Sequence, residues 1–315
     1  MSCGKKRLVR QSSTPGKNKI CGRRLRGLKL ETVQEGLESF YAALRNLDTL
    51  ERKDFREIIK SQFNPTLRER YLTVNYHRAA FNVEMMLAIK DTKQFQALSL
   101  LARAIFELAV EMKSITVDPK AAEKIELFSE MEVLKASRRL VEFKINHPAE
   151  QFRHEMQEAF VTQFGPGIDA AETAMWPPNP TTGRKPSVKH WTMKDLFRRA
   201  TDLGSPFDRI YSVHYAHLSW MTHSGVVSPL NVTAEWVTSY VSSVYSIAID
   251  SYMEILEILV NVFKLSATNE FIKKKIICSR DLGLTSTPEQ SEEVMRRHGL
   301  WGRFEPPTPL SGMES

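Results

Sequence analysis

Hydrophobic residues recur at intervals of three and four along most of the chain. The pattern begins after Glu31, where the apolar positions are Val33, Leu37, Phe40, Tyr41, Leu44 and Leu47. This spacing places side chains on one face of an α-helix, and it repeats in successive segments to about residue 277. No stretch of useful length alternates apolar and polar residues as a strand does. The sequence therefore predicts an all-α fold, a multi-helix bundle.

Glycine and proline predict where the helices break. One helix is predicted to end at Gly165-Pro166-Gly167, and the chain to stay irregular from there through Pro186. Two shorter helices are predicted next, Met193–Leu203 with Thr192 as its N-cap, and Phe207–Thr222. Because helices of the same character resume after the irregular segment, we interpret that segment as a long internal loop.

Charge divides the chain into a tail and a body. Residues 1–30 contain 10 of the 44 Lys and Arg residues and no acidic residue, so the remaining 34 basic and 37 acidic residues sum to −3. A basic segment without hydrophobic periodicity is typical of disorder. We expect a disordered basic tail over 1–30, a single helical domain over 31–280, and a short helix with a flexible tail over 281–315. The tail is interpreted as solvated rather than as a nucleic-acid tether, which stays the alternative.

Several protein classes are disfavoured. Three cysteines cannot build a disulfide framework, which favours a reducing, cytoplasmic compartment. The most apolar long segment, 237–265, contains three acidic residues, which argue against a membrane span. The chain contains no Walker, Rossmann, HExxH, GxSxG or paired CxxC motif, and no cofactor is expected.

The first candidate site is a row of polar side chains. Tyr211, Tyr215, Ser219 and His223 are each four residues apart, so on a helix they return to nearly the same face. The neighbouring residues are rich in Trp, Met and Leu. Because a polar group buried among such residues must find a hydrogen-bond partner, this row predicts polar partners elsewhere in the bundle.

The second polar feature can supply those partners. Arg103 and Glu107 lie four residues apart in a predicted helix, 93–116, that is apolar on almost every side and belongs in the middle of a bundle. Two charged side chains in such a helix need partners. We therefore expect one buried or cleft-lining cluster, with the members Arg103, Glu107, Tyr215, Ser219 and His223. It is either a catalytic pocket or a satisfied network that fixes how two helices pack.

An alternative catalytic pair is Arg209 and His214. Their Arg-x4-His spacing resembles the signature of the HEPN ribonucleases, which are all-helical and often belong to toxin or defence systems. The resemblance implies that Arg209 contacts a phosphate and that His214 transfers protons. On a regular helix, side chains five residues apart point about 140° apart, so the two share a face only if the helix is irregular. A metal site with His217 is not expected, because no carboxylate is suitably placed on the same turn.

An ordered set of residues also resembles a widespread, uncharacterised prokaryotic helical family classed as a domain of unknown function. The set is Arg103-x3-Glu107, then Trp191, then Tyr215-x3-Ser219-x3-His223. The resemblance covers about residues 70–265 and implies a helical bundle whose polar signature is this cluster. It supplies no agreed activity, and a HEPN-like fold is a further expectation for this family.

Two functions follow from these features. The first is an enzyme that acts on RNA or a nucleotide in stress or phage defence, with His223 or His214 as acid/base and Arg103 or Arg209 as phosphate contact. The alternative is a non-catalytic helical protein that binds a partner or ligand, its polar cluster being structural. The expected partners are RNA or a nucleotide and a protein such as an antitoxin, with no membrane. The sequence leaves the oligomeric state open, and a dimer is compatible with it.

Overall fold

The computed structural model describes residues 30–61, 65–89, 94–143, 148–215, 218, 234–263, 269–283, 285 and 287–300. Within these ranges every regular element is a helix, which confirms the all-α prediction. The α-helices are α1 (Leu30–Asp54), α2 (Arg56–Lys60), α3 (Leu67–Ala88), α4 (Phe95–Val117), α5 (Ala121–Glu142), α6 (Pro148–Met175), α7 (Leu196–Leu203), α8 (Phe207–Ile210), α9 (Ala234–Phe263), α10 (Asn269–Gly283) and α11 (Pro288–Arg297). The predicted tails over 1–29 and from 301 lie outside the described residues. No helix of the described part is long and apolar enough to cross a membrane.

The core of the bundle is built around α4 and α9. These two apolar helices pack along each other, α3 covers α4, and α1 packs against both α9 and α10. On α4 the buried side chains include Ala102, Ile105, Phe106, Ala109 and Met112. Helix α4 thus lies in the middle of the bundle as its composition predicts, although Leu100 remains 53% exposed.

Helix α6 corrects one prediction. Instead of ending at Gly165-Pro166-Gly167, it continues through that tripeptide to its end. A proline inside a helix costs roughly 3 kcal/mol, so the packing of α6 on α5 must offset it. Gly165 is buried at the interface, where an added Cβ would lie 3.4 Å from Leu134 Cδ1. Beyond the tripeptide, Ile168 is buried and Asp169 accepts a 2.6 Å hydrogen bond from Arg138 on α5.

The start of α7 corrects a second prediction. The N-cap is Asp195, whose side chain accepts a 2.8 Å hydrogen bond from the backbone N–H of Arg198. Thr192 was predicted to fill that role. Its hydroxyl instead lies 2.9 Å from His190 Nδ1, within the loop that precedes the helix. Aspartate and threonine are both good N-caps, so the sequence alone did not select between them.

The segment after Pro206 corrects the third prediction. Within the described part of the predicted helix Phe207–Thr222, the single turn of α8 is followed by a π turn, Tyr211–Tyr215. In a π turn the hydrogen bonds run from i to i+5, so residues five apart return to the same side. Ile210 and Tyr215 are five apart, and both are buried. The wider turn therefore lets both side chains reach the core.

Candidate functional site

Three of the five predicted cluster residues meet in space. The Arg103 Nε–H donates a 2.7 Å hydrogen bond to Glu107 Oε1, one turn further along α4. The Tyr215 hydroxyl, from the π turn, donates a 2.6 Å hydrogen bond to the same Glu107 oxygen. The Arg103 guanidinium also lies over the Tyr215 ring, 5.2 Å from its centroid. These contacts join α4 to the π turn, as the sequence predicted for Tyr215.

Tyr215 is the buried member of this trio. Its ring packs against Phe106 and stacks on Tyr211, with 4.8 Å between the two tyrosine centroids. Burial raises the pKa of the Tyr215 hydroxyl well above its ordinary value, and the Glu107 carboxylate raises it further. The hydroxyl therefore stays protonated at neutral pH and acts as a hydrogen-bond donor.

The charged members are more open to solvent than a buried pair would be. The side chains of Arg103 and Glu107 are 27% and 41% exposed. The trio therefore lies at the edge of the core, where a ligand can reach it. The remaining two predicted members, Ser219 and His223, lie outside the described residues.

The alternative pair, Arg209 and His214, lies on the same irregular segment. His214 lies in the π turn and Arg209 in the helical turn just before it, and the wider turn reduces the angle between side chains five residues apart relative to a regular helix. Both lie near Asp250 of α9: the Arg209 guanidinium is 3.7 Å from that carboxylate. Burial raises the pKa of Asp250, while the positive charges of Arg209, Arg280 and His214 oppose that shift.

A third polar cluster was missed by the sequence reasoning. Glu111 on α4 accepts hydrogen bonds from His190 Nε2 at 3.0 Å, from Arg199 Nη1 at 2.6 Å, and from the Trp191 indole N–H. Although burial raises the pKa of Glu111, these donors lower it to a net value below its usual range. The carboxylate therefore ties the loop before α7, and α7 itself, to the central helix.

A sequence signal for Glu111 was present. Along α4 the polar residues Ser99, Arg103, Glu107 and Glu111 are each four apart, so they form one stripe on an otherwise apolar helix. The stripe continues in the structure, where the Ser99 hydroxyl lies 2.7 Å from the Tyr240 hydroxyl of α9. Counting four residues back from Arg103 and four forward from Glu107 gives Ser99 and Glu111, the two ends of the stripe.

The chemistry that these groups can perform is proton transfer and anion binding. No group of three His, Cys, Asp or Glu side chains within the described ranges could hold a metal ion. His217, considered above as a metal ligand, lies outside those ranges.

The chain is thus a helical bundle with a polar seam between α4 and the segment 190–215. Comparison with known proteins finds a family model that matches the part of the chain containing this seam. Residues 84–235 match the model of a family described as "Family of unknown function (DUF5677)". This segment is similar to an uncharacterised family, as the resemblance predicted, although the match is shorter than the expected 70–265. No curated protein and no solved structure matches the chain.

Proposed function

We propose that this protein cleaves RNA without a metal ion, at a site formed by Arg209 and His214. The observation that supports the proposal is the π turn that contains His214. It reduces the angular separation that a regular helix would impose on the five-residue spacing from Arg209. Short π segments inside helices occur frequently at functional sites, which adds support.

The charges around the pair suit a phosphodiester substrate. The Arg209 side chain is 65% exposed and is held only loosely by Asp250, 3.7 Å away. An exposed guanidinium of this kind can turn toward a phosphate and bind two of its oxygens at once. The ten basic residues of the segment 1–30 would add a salt-sensitive attraction for the RNA backbone.

The proposed reaction is an internal transfer of the phosphodiester. The ribose 2′-oxygen loses its proton to a base and attacks the adjacent phosphorus, while the bond from phosphorus to the 5′-oxygen breaks and that oxygen takes up a proton. The products are a 2′,3′-cyclic phosphate and a free 5′-hydroxyl. His214 performs one of the two proton transfers, and His223 is the sequence candidate for the other. Arg209 stabilises the negative charge on the phosphate oxygens.

The trio of Arg103, Glu107 and Tyr215 has a supporting role in this proposal. Tyr215 directly follows His214, and its hydrogen bond to Glu107 fixes the end of the π turn against α4. A group that transfers protons must be held in position to react efficiently. The trio is therefore expected to position His214 rather than to react itself.

The mutational test uses a labelled RNA oligonucleotide incubated with the full-length protein in EDTA. We expect wild-type protein to cleave it, and His214→Ala to reduce the rate by about 100-fold or more, since general acid–base catalysis contributes roughly 10²–10⁴. Arg209→Ala should reduce it as well. Arg139→Ala removes an exposed arginine on α5 and serves as the matched control. Equal rates for all three variants and wild type would refute the assignment.

A role in stress or phage defence, with an antitoxin-like protein as partner, is part of the same proposal. It is supported only by the resemblance of the Arg-x4-His spacing to the HEPN signature. Expression of the wild-type chain should then arrest growth of a bacterial host, and His214→Ala should relieve the arrest. Arrest that persists in a variant with both His214→Ala and His223→Ala would contradict a catalytic origin.

A second candidate function is supported by the trio itself. Arg103, Glu107 and Tyr215 bond to one another, as a structural network does. The protein would then be a non-catalytic helical module that binds a partner or ligand. It predicts no RNA cleavage, together with loss of stability in Arg103→Ala and Glu107→Ala. Thermal unfolding of these variants, beside the cleavage assay, distinguishes the two functions.

A further inference from the structure

A polar groove lies between α2 and the middle of α3, almost entirely outside the family-matched segment. It is a shallow, open groove with a volume of about 240 Å³, lined by Arg56, Lys60, His77, Ala80, Phe81 and Glu84. This is slightly below the roughly 300–1,000 Å³ of pockets that bind drug-sized ligands. This volume suits a small organic molecule.

The guanidinium of Arg56 lines the groove and is held in place by two carboxylates. Glu51 is fully buried and accepts hydrogen bonds from Arg56 Nε at 3.2 Å and Arg56 Nη2 at 3.0 Å, as well as from the Tyr76 hydroxyl. Arg56 Nη2 also donates to Glu84 at 2.9 Å. Within the described residues the N–H groups of Nη1 have no protein partner. The network therefore holds Arg56 in one orientation with two donors left for a ligand.

The counter-charge for an anion in this groove comes from Lys60. Glu84 Oε1 lies 2.9 Å from both Arg52 Nη2 and Arg56 Nη2. The same two guanidinium groups also pair with Asp48 and Glu51, so three carboxylates share two guanidinium charges. Lys60 pairs only with Glu57 in the described structure, 2.9 Å away. Both side chains are largely exposed, and an exposed pair of this kind contributes little, so the ammonium can exchange Glu57 for a ligand.

The remaining wall combines a donor with an apolar surface. The His77 ring is accessible and makes no hydrogen bond to any described residue, and burial of part of the ring lowers its pKa. Its N–H is a further donor for an anion. Phe81, one turn along α3, is 60% exposed, and an exposed aromatic ring offers a surface on which a flat apolar group can stack.

We propose that this groove binds a small aromatic anion. Its carboxylate or phosphate would accept hydrogen bonds from Arg56, Lys60 and His77, and its ring would pack against Phe81. The groove is independent of the proposed RNA site, because none of its lining residues belongs to α4 or to the π turn.

Isothermal titration calorimetry of the full chain tests this with two probes, phenyl phosphate and benzoate, which share a ring and an anionic group. We expect at least one to bind, more tightly than either phenol or inorganic phosphate. Which of the two binds better identifies the head group. Binding of phenol as tight as that of both anions, or no binding by either anion, overturns the proposal.

The variants locate the binding. Lys60→Ala should weaken the better probe about tenfold, as expected for loss of one charge-assisted hydrogen bond, and Phe81→Ala should weaken it several-fold. Both residues are exposed, so neither change should unfold the protein, and circular dichroism checks this. Lys189→Ala removes an exposed lysine from the loop before α7 and is the matched control. Equal affinities for Lys60→Ala, Phe81→Ala and Lys189→Ala would show that the probe binds elsewhere.

Discussion

Removing the charge of Glu111 tests whether this residue holds α7 and the loop before it against the central helix α4. The variant Glu111→Gln keeps the shape of the side chain. However, one amide oxygen cannot accept the hydrogen bonds that two carboxylate oxygens accept from His190, Trp191 and Arg199. The Arg199 side chain is only 12% exposed and would lose its counter-ion. Breaking a buried ion pair typically costs about 3–5 kcal/mol. Because Glu111 is 20% exposed, we expect the lower end, about 3 kcal/mol.

Urea denaturation followed by circular dichroism measures this loss. A loss of about 3 kcal/mol also lowers the melting temperature by about 4–5 °C in a chain of 315 residues, from an unfolding entropy of roughly 2.1 cal/mol/K per residue. Glu132→Gln is the matched control, since Glu132 pairs with Lys135 at 2.7 Å on the surface of α5. That pair should contribute at most about 1 kcal/mol. If both variants unfold at the same urea concentration as wild type, the reasoning about Glu111 is wrong.

The same residue gives a pH dependence with a definite sign. The pKa of Glu111 in the folded protein lies below its ordinary value, which is about 4.3 in an unfolded chain. Its stabilising effect is therefore fully present above about pH 4.3 and is lost as the pH falls through the lower folded-state value. The stability difference between wild type and Glu111→Gln should therefore shrink as the pH falls below about 4.3. A difference that grows below pH 4 would contradict this assignment.

Three further changes test the packing and the polar seam. Tyr215→Phe should lower the free energy of unfolding by about 1 kcal/mol. This is less than a hydrogen bond to a buried charge contributes, because Glu107 is 41% exposed. An unchanged urea midpoint would show that the bond does not stabilise the fold. Gly283→Ala should lower the free energy of unfolding by about 3 kcal/mol or more, because the added Cβ would lie 2.1 Å from the backbone nitrogen of Ala43. A variant as stable as wild type would show that α1 and α10 pack differently. At Gly167 nothing lies within 4 Å of an added Cβ. Gly167→Ala should therefore raise the free energy of unfolding by about 0.5–1 kcal/mol. A lower melting temperature would indicate a contact at this position.

Hydrophobic periodicity was enough to predict the bundle and its central helix. The apolar composition of α4 left it no stable position except against other helices. The same composition made Arg103 and Glu107 conspicuous, and the need of buried polar groups for partners led from them to Tyr215. Local composition and hydrogen-bonding requirements sufficed for these features because both can be read from neighbouring residues.

Features that depend on tertiary contacts were not predictable in this way. Gly165-Pro166-Gly167 ends a helix by local preference, but the contacts of α6 with α5 override that preference. The π turn has no composition signal, since it arises from the need to bury Ile210 and Tyr215 together. Glu111 was missed because its partners come from residues about 80 positions further along the chain.

The most direct test of the central claim compares an RNA strand with the deoxyribose strand of the same base sequence, each incubated with wild-type protein in EDTA. One carries 2′-hydroxyl groups throughout, and the other carries 2′-deoxyribose at every position. An internal attack by the 2′-oxygen predicts cleavage of the first only, with products that end in a 2′,3′-cyclic phosphate. Equal cleavage of both strands, or cleavage that requires added metal ions, would contradict a metal-independent site at Arg209 and His214.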